Sequence, residues 1–161
     1  MVTRKSAKAN TTETPAKQLA GFIAKFDPSI ARLVRAARVT LRQHFFPTAI
    51  ELVYDNYNAL AIGFSPSERT SEAIVSLAVY ARGVNRYFIY GAHLPDPQHV
   101  LEGTGNQGRF VRLADLSVLD NPAVQALLRA AIEEAEPLPA SGRGYIVIKA
   151  VSAKQRPRRL A

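Results

Sequence analysis

His93, Asp96, His99 and Glu102 follow one another at three-residue intervals, and imidazole with carboxylate is a donor set suited to a divalent first-row metal. If Asp96 caps a helical turn that starts at Pro97, His99 and Glu102 share its face. Pro95 and Pro97 forbid one continuous helix from 93 to 102, so the four donors need not converge. The architectural alternative makes Asp96 a cap, gives Glu102 to loop amides or to Arg109, and leaves the histidines in solvent. Glu133, Glu134 and Glu136 form a second acidic run, read either as a weak metal surface or as the solvated end of a helix.

The same region holds a second pattern. In "LEGTGNQGRF", residues 101–110, Gly103, Gly105 and Gly108 have the spacing of the dinucleotide fingerprint. That fingerprint needs a strand before the glycines, a helix after them to receive the pyrophosphate, and an acid about 20 residues on for the ribose. Here two prolines break the preceding stretch, a strand is predicted to follow, and Asp120 comes 15 residues after Gly105. The glycines therefore read as relaxing a loop that turns before Arg109.

Tyr54, Tyr57, Tyr80, Tyr87 and Tyr90 are the other chemical candidates. They suit the walls of a ligand pocket, offering flat apolar faces with polar tips, and Arg109 would supply charge balance. Tyrosine is also a common strand residue, so core packing is the competing account. With no cysteine, the chain has no disulfide, thiolate nucleophile or cysteine-based zinc site. Nor does it contain a Gly-x-Ser-x-Gly elbow, a His-Glu-x-x-His pair or a phosphate loop ending in Lys-Ser/Thr. No catalytic residue is assigned, and the expectation is a protein that is not an enzyme.

The net charge of +8 is unevenly spread: residues 1–14 carry +2 and residues 146–161 carry +5, which leaves +1 for the middle. Lys154, Arg156, Arg158 and Arg159 form a basic tail, and Arg32, Arg35, Arg38 and Arg42 form a stripe beside the apolar face of a predicted helix. Both would attract nucleic acid; solubilising a tail and bordering a core are the ordinary uses of such residues.

The elements that position these residues follow from hydrophobic period. A polar arm, 1–14, precedes one domain of residues 15–151, and 152–161 form the tail. Leu19, Phe22, Ile23 and Phe26 predict a first short helix; Asp27 and Pro28 open a second, with Ile30, Leu33, Val34, Ala37, Leu41 and Phe45 on its inner face. Alternating stretches follow at "AIELVY", "ALAIGF", "AIVSLAVY", "RYFIYG" and "RFVRL", with Gly83 as a turn. In the third, Val75, Leu77 and Val79 oppose Ile74, Ser76, Ala78 and Tyr80, so one face is core and the other suits a covering helix or a ligand. Asn121 and Pro122 start a last helix, and "YIVIKAV" is the last strand. The fold class expected is α+β, an antiparallel sheet of five or six strands packed with N-terminal and C-terminal helices.

Around the loop, "YGAHLPDPQHVLEGTGNQGRFVRL" followed by "NPAVQALLRAAI" resembles the YdhG-like family of small bacterial domains, most of which have no assigned function. The resemblance rests on Gly91, Leu94, Asp96 with Pro97, Leu101 with Glu102 and Gly103, Gly105, and Arg109, and covers residues 20–136, extending loosely to "IKAVSAKQRPRR". Asn106 stands where a lysine is common in that pattern. One member is described as a frataxin-like iron chaperone, so the resemblance implies iron handling, for which His93, Asp96, His99 and Glu102 are the candidate Fe(II) ligands by residue type and spacing. The expectation is a cytoplasmic binding protein for weakly held iron or a small ligand. A nucleic-acid accessory domain and a protein-interaction module are the alternatives.

Overall fold

The computed structural model describes residues 13–160; most of the predicted polar arm, residues 1–12, lies outside the described residues. Helix α1 (Pro15–Ala24) begins where Thr14 accepts a hydrogen bond from the Lys17 amide at 3.2 Å, and Pro15 sits in the first turn, where no amide partner is needed. Its Leu19 and Ile23, one helical turn apart, are buried. Helix α2 (Pro28–His44) turns Ala31, Val34, Ala37 and Leu41 inward. Asp27 stands at its cap position, but its side chain makes no cap bond.

Five strands then form an antiparallel meander: β1 (Ile50–Asp55), β2 (Leu60–Ser65), β3 (Val75–Tyr80), β4 (Gly83–Phe88) and β5 (Arg109–Leu113). Helix α3 (Pro122–Glu134) follows, its start capped by Asn121, which accepts from the Ala123 amide at 2.8 Å. The chain then reaches the far edge as β6 (Ile146–Val151), which pairs parallel with β1, giving the order β5-β4-β3-β2-β1-β6. The sheet is thus six-stranded and antiparallel except at this last pair. A parallel neighbour requires a long crossover, and α3 with its following loop supplies it.

One strand departs from the sequence reading. Gly83 opens β4 rather than serving as the turn, because the hairpin closes at Ala81 and Arg82; Gly83 pairs with Tyr80, and the strand ends at Phe88.

The sheet has two different faces. Val53, Ile62, Phe64, Leu77, Val79, Val84 and Phe88 pack with the inward residues of all three helices in a single core. On the same side of β1 as Val53 lie Glu51 and Asp55, both buried. Arg38 meets Glu51 through two bonds, at 2.8 and 3.1 Å, and Arg42 reaches the same carboxylate at 2.6 Å. These pairs fasten α2 to the sheet, and they commit half of the predicted arginine stripe to half-buried ion pairs. Arg32 and Arg35 are exposed and form no ion pair among the described residues.

The predicted basic tail is a packed strap. Ser152 donates its amide to the Asp55 carbonyl at 2.8 Å, and the Arg156 amide donates to the Tyr57 carbonyl at 2.9 Å. Arg158 is buried, with its guanidinium on the Asp55 carboxylate at 2.8 Å and on the Asn56 carbonyl at 2.6 Å. Lys25 holds the other Asp55 oxygen at 2.6 Å. Arg159 donates to the Lys25 and Ala24 carbonyls, satisfying acceptors that α1 leaves open at its C-terminus. Burial opposes ionisation of Asp55; hydrogen bonds from Lys25, Gln155 and Arg158 outweigh it, so the carboxyl stays below the usual carboxylate range. Among the described residues, no helix is long and apolar enough to cross a membrane.

Candidate functional site: a tyrosine-lined cleft

Alternation along the strands places the remaining residues on the sheet face away from the helices. Small side chains dominate its centre: Ala61 and Gly63 on β2, Ser76 and Ala78 on β3. Around this floor the chain raises larger walls, so the face is a cleft of about 930 Å³. Tyr54, Tyr57, Tyr80, Tyr87 and Tyr90 all line it, together with Asn56, Asn58 and Gln107. They come from β1, the β1–β2 turn, β3, β4 and the segment after β4, so only the folded sheet assembles them. No carboxylate, imidazole, amine or guanidinium is among the lining side chains.

Two of the five tyrosines serve as braces. The Tyr54 hydroxyl bonds to Thr70, and the Tyr90 hydroxyl donates to the Ser71 carbonyl at 2.5 Å, tying the single helical turn Thr70–Glu72 across the sheet as one wall. Tyr87 is held by the glycine loop: a Cβ at Gly108 would come within 2.1 Å of its hydroxyl oxygen. Tyr57 and Tyr80 are 47% and 40% exposed, and their hydroxyls have no partner among the described residues, which leaves both rings and both polar tips presented to a ligand.

The glycine pattern is thereby explained without a dinucleotide. Gly103 has φ +112°, a left-handed conformation that favours glycine, and Gly108 leaves room for Tyr87. The chain after Gly108 enters β5, with no helix N-terminus to receive a pyrophosphate. Arg109, expected to balance ligand charge, instead donates to the Gly105 and Gly108 carbonyls at 2.5 and 2.7 Å and braces the loop.

The metal reading requires correction. The segment after Pro95 is a turn rather than a helix: the His99 amide bonds to the Asp96 carbonyl at 3.1 Å, and His99 has φ +54°, which cannot continue into a helical turn. Both Asp96 oxygens accept backbone amides, from Val100 at 2.9 Å and Leu101 at 3.0 Å. Glu102 is exposed and pairs through its backbone with Phe110. His93 lies beside Leu94 and Glu134 at a separate cavity of about 300 Å³. Thus His93, Asp96, His99 and Glu102 do not converge, and no group of three or more metal-competent side chains occurs among the described residues, at Glu133, Glu134 and Glu136 or elsewhere.

Two features escaped the sequence reading. One is the pair of buried carboxylates on β1, whose only signal is that Glu51 and Asp55 flank Val53 at period two. The other is Arg86, on the core side of β4. It is wholly buried, its guanidinium lies 5.1 Å over the Phe88 ring, and none of its three nitrogens has a hydrogen-bond partner among the described residues. Burial pulls its pKa down to about 9.

Comparison with family models, curated proteins and solved structures finds no match to this chain.

Proposed function

We propose that this is a non-enzymatic, cytoplasmic binding protein whose ligand presents a flat uncharged moiety to the tyrosine cleft. The observation that carries the reading is the convergence of five tyrosines on a charge-free floor of Ala61, Gly63, Ser76 and Ala78. Rings of this kind stack on planar groups, while Asn56, Asn58, Gln107 and the tyrosine tips supply hydrogen bonds to the edges of such a group. The lining holds no carboxylate, imidazole or amine, and tyrosine hydroxyls are its principal groups for proton transfer, which favours binding over catalysis. The resemblance to YdhG-like domains enters this proposal at the level of fold, which is α+β as that resemblance implies. Iron loses its support because the expected ligands lie apart.

The test uses riboflavin and adenosine as uncharged planar probes. Tyrosine emission follows binding directly, since the chain has six tyrosines and no tryptophan. Ala78→Phe raises a ring from the floor of the cleft. We expect saturable binding to the wild type, and at least about a tenfold loss in Ala78→Phe with its unfolding transition retained, equivalent to about 1.4 kcal/mol. Equal binding by both proteins would overturn the assignment of the cleft.

A further inference from the structure

We infer that Arg156 gives the cleft a preference for flat ligands that carry a phosphate, an inference that rests on the cleft reading above. The cleft lining is neutral, but the strap that borders it is not. Ser152, on the strap, is itself a lining residue, and the Arg156 amide is anchored to the carbonyl of Tyr57, another lining residue, at 2.9 Å. The Arg156 guanidinium lies 5.6 Å from the Tyr57 ring centroid, a cation–π contact that holds a flexible side chain at the edge of the cleft.

Arg156 combines an uncommitted charge with a place against a cleft tyrosine. Arg158 and Lys25 are bound to Asp55, Arg38 and Arg42 to Glu51, and Arg159 to the carbonyls at the end of α1. Arg156 is exposed and has neither an ion-pair partner nor a side-chain hydrogen bond among the described residues. A planar guanidinium with five donors matches a phosphate in geometry as well as in charge. A flat heterocycle on the tyrosines would carry a phosphate on a short linker toward this edge. The ligand class is therefore an aromatic heterocycle bearing a phosphate, the chemistry of a mononucleotide or of a phosphorylated flavin.

The experiment compares matched pairs that differ only in phosphate: riboflavin with riboflavin 5′-phosphate, and adenosine with adenosine 5′-phosphate. Affinities are measured by titration at low and physiological salt for the wild type, Arg156→Ala, Arg156→Lys and the control Arg35→Ala. Arg35 lies on α2, a helix packed on the other face of the sheet. The expected result is a wild-type preference of about three- to tenfold for the phosphorylated member, weaker at high salt as for any exposed ion pair. Arg156→Ala abolishes the preference, Arg156→Lys keeps part of it, and Arg35→Ala keeps all of it. The backbone bond from residue 156 to Tyr57 survives in each variant, so the strap stays anchored. Equal wild-type affinity within both pairs, or an intact preference in Arg156→Ala, would overturn the role of Arg156 while leaving the cleft assignment standing. Binding of none of the four probes would overturn both.

Discussion

Asp55→Ala is expected to cost the fold about 3–5 kcal/mol, the range for breaking a buried ion pair from one side. Asp55 is wholly buried and joins three separate parts of the chain: β1, the end of α1 through Lys25, and the strap through Arg158. Removing its carboxylate leaves the Arg158 guanidinium, 5% exposed, with only the Asn56 carbonyl. Lys25 is 39% exposed and can turn to water, so the larger share of the loss comes from Arg158. The pH dependence has a definite sign. Because the carboxyl is held below its ordinary value in the folded state, its contribution is complete above about pH 4, the unfolded value. It is lost as pH falls through the lower folded value. Urea unfolding of the wild type and Asp55→Asn across that interval checks both points: the two curves should converge as the wild type is acidified. A loss below about 1 kcal/mol in Asp55→Ala would show that the network is not holding the strap.

Arg86→Met should act in the opposite direction and stabilise the protein by about 1–4 kcal/mol near neutral pH. A buried charge without partners bears its desolvation cost uncompensated, and methionine replaces it with a flexible apolar chain suited to an irregular space. The cation–π contact with Phe88 offsets only part of that cost. Here too the pH dependence is a signature. The folded guanidinium has its pKa lowered to about 9, below its unfolded value, so the unfolded chain binds more protons between those values. Wild-type stability therefore gains from this group as pH rises through 9, and the advantage of Arg86→Met shrinks over the same range. The check is the shift of the urea midpoint at unchanged slope, measured at pH 7 and pH 10. A variant less stable than the wild type at pH 7 would mean that Arg86 has partners in solution, such as buried water.

The contrast between these two residues shows what sequence patterning can and cannot carry. Period alone located the helix faces, since Leu19 with Ile23, and Val34 with Ala37 and Leu41, are where burial falls. Alternation in β3 separated Val75, Leu77 and Val79 from Ser76, Ala78 and Tyr80, and with that the existence of a second, unusual sheet face was legible. That the face is a cleft was not legible, because its depth depends on small residues from β2 lying beside small residues of β3. This register is visible only when the strands pair, as Ala61 does with Ala78 and Gly63 with Ser76.

The basic strap was misread for a related reason. A run of cations looks solvated when its acid partner lies far away in sequence, and Asp55 is 103 residues from Arg158. The arginines of α2 show the same effect over a shorter distance, with Glu51 lying 13 residues beyond Arg38. The metal reading failed on local geometry. Three-residue spacing brings side chains together only on a helix, and the positive φ of His99 turns the chain away from one.

The central claim concerns which tyrosines meet a ligand, and the sixth, Tyr145, provides an internal control. It precedes β6, bonds to Glu68 at 2.7 Å and is not part of the cleft lining. The most direct measurement is NMR of tyrosine ring resonances in protein labelled only at tyrosine, titrated with riboflavin. The expected result is saturable shifts at Tyr57 and Tyr80, smaller ones at Tyr54, Tyr87 and Tyr90, and none at Tyr145. Shifts confined to Tyr145, or spread evenly over all six rings, would contradict the cleft as the binding site.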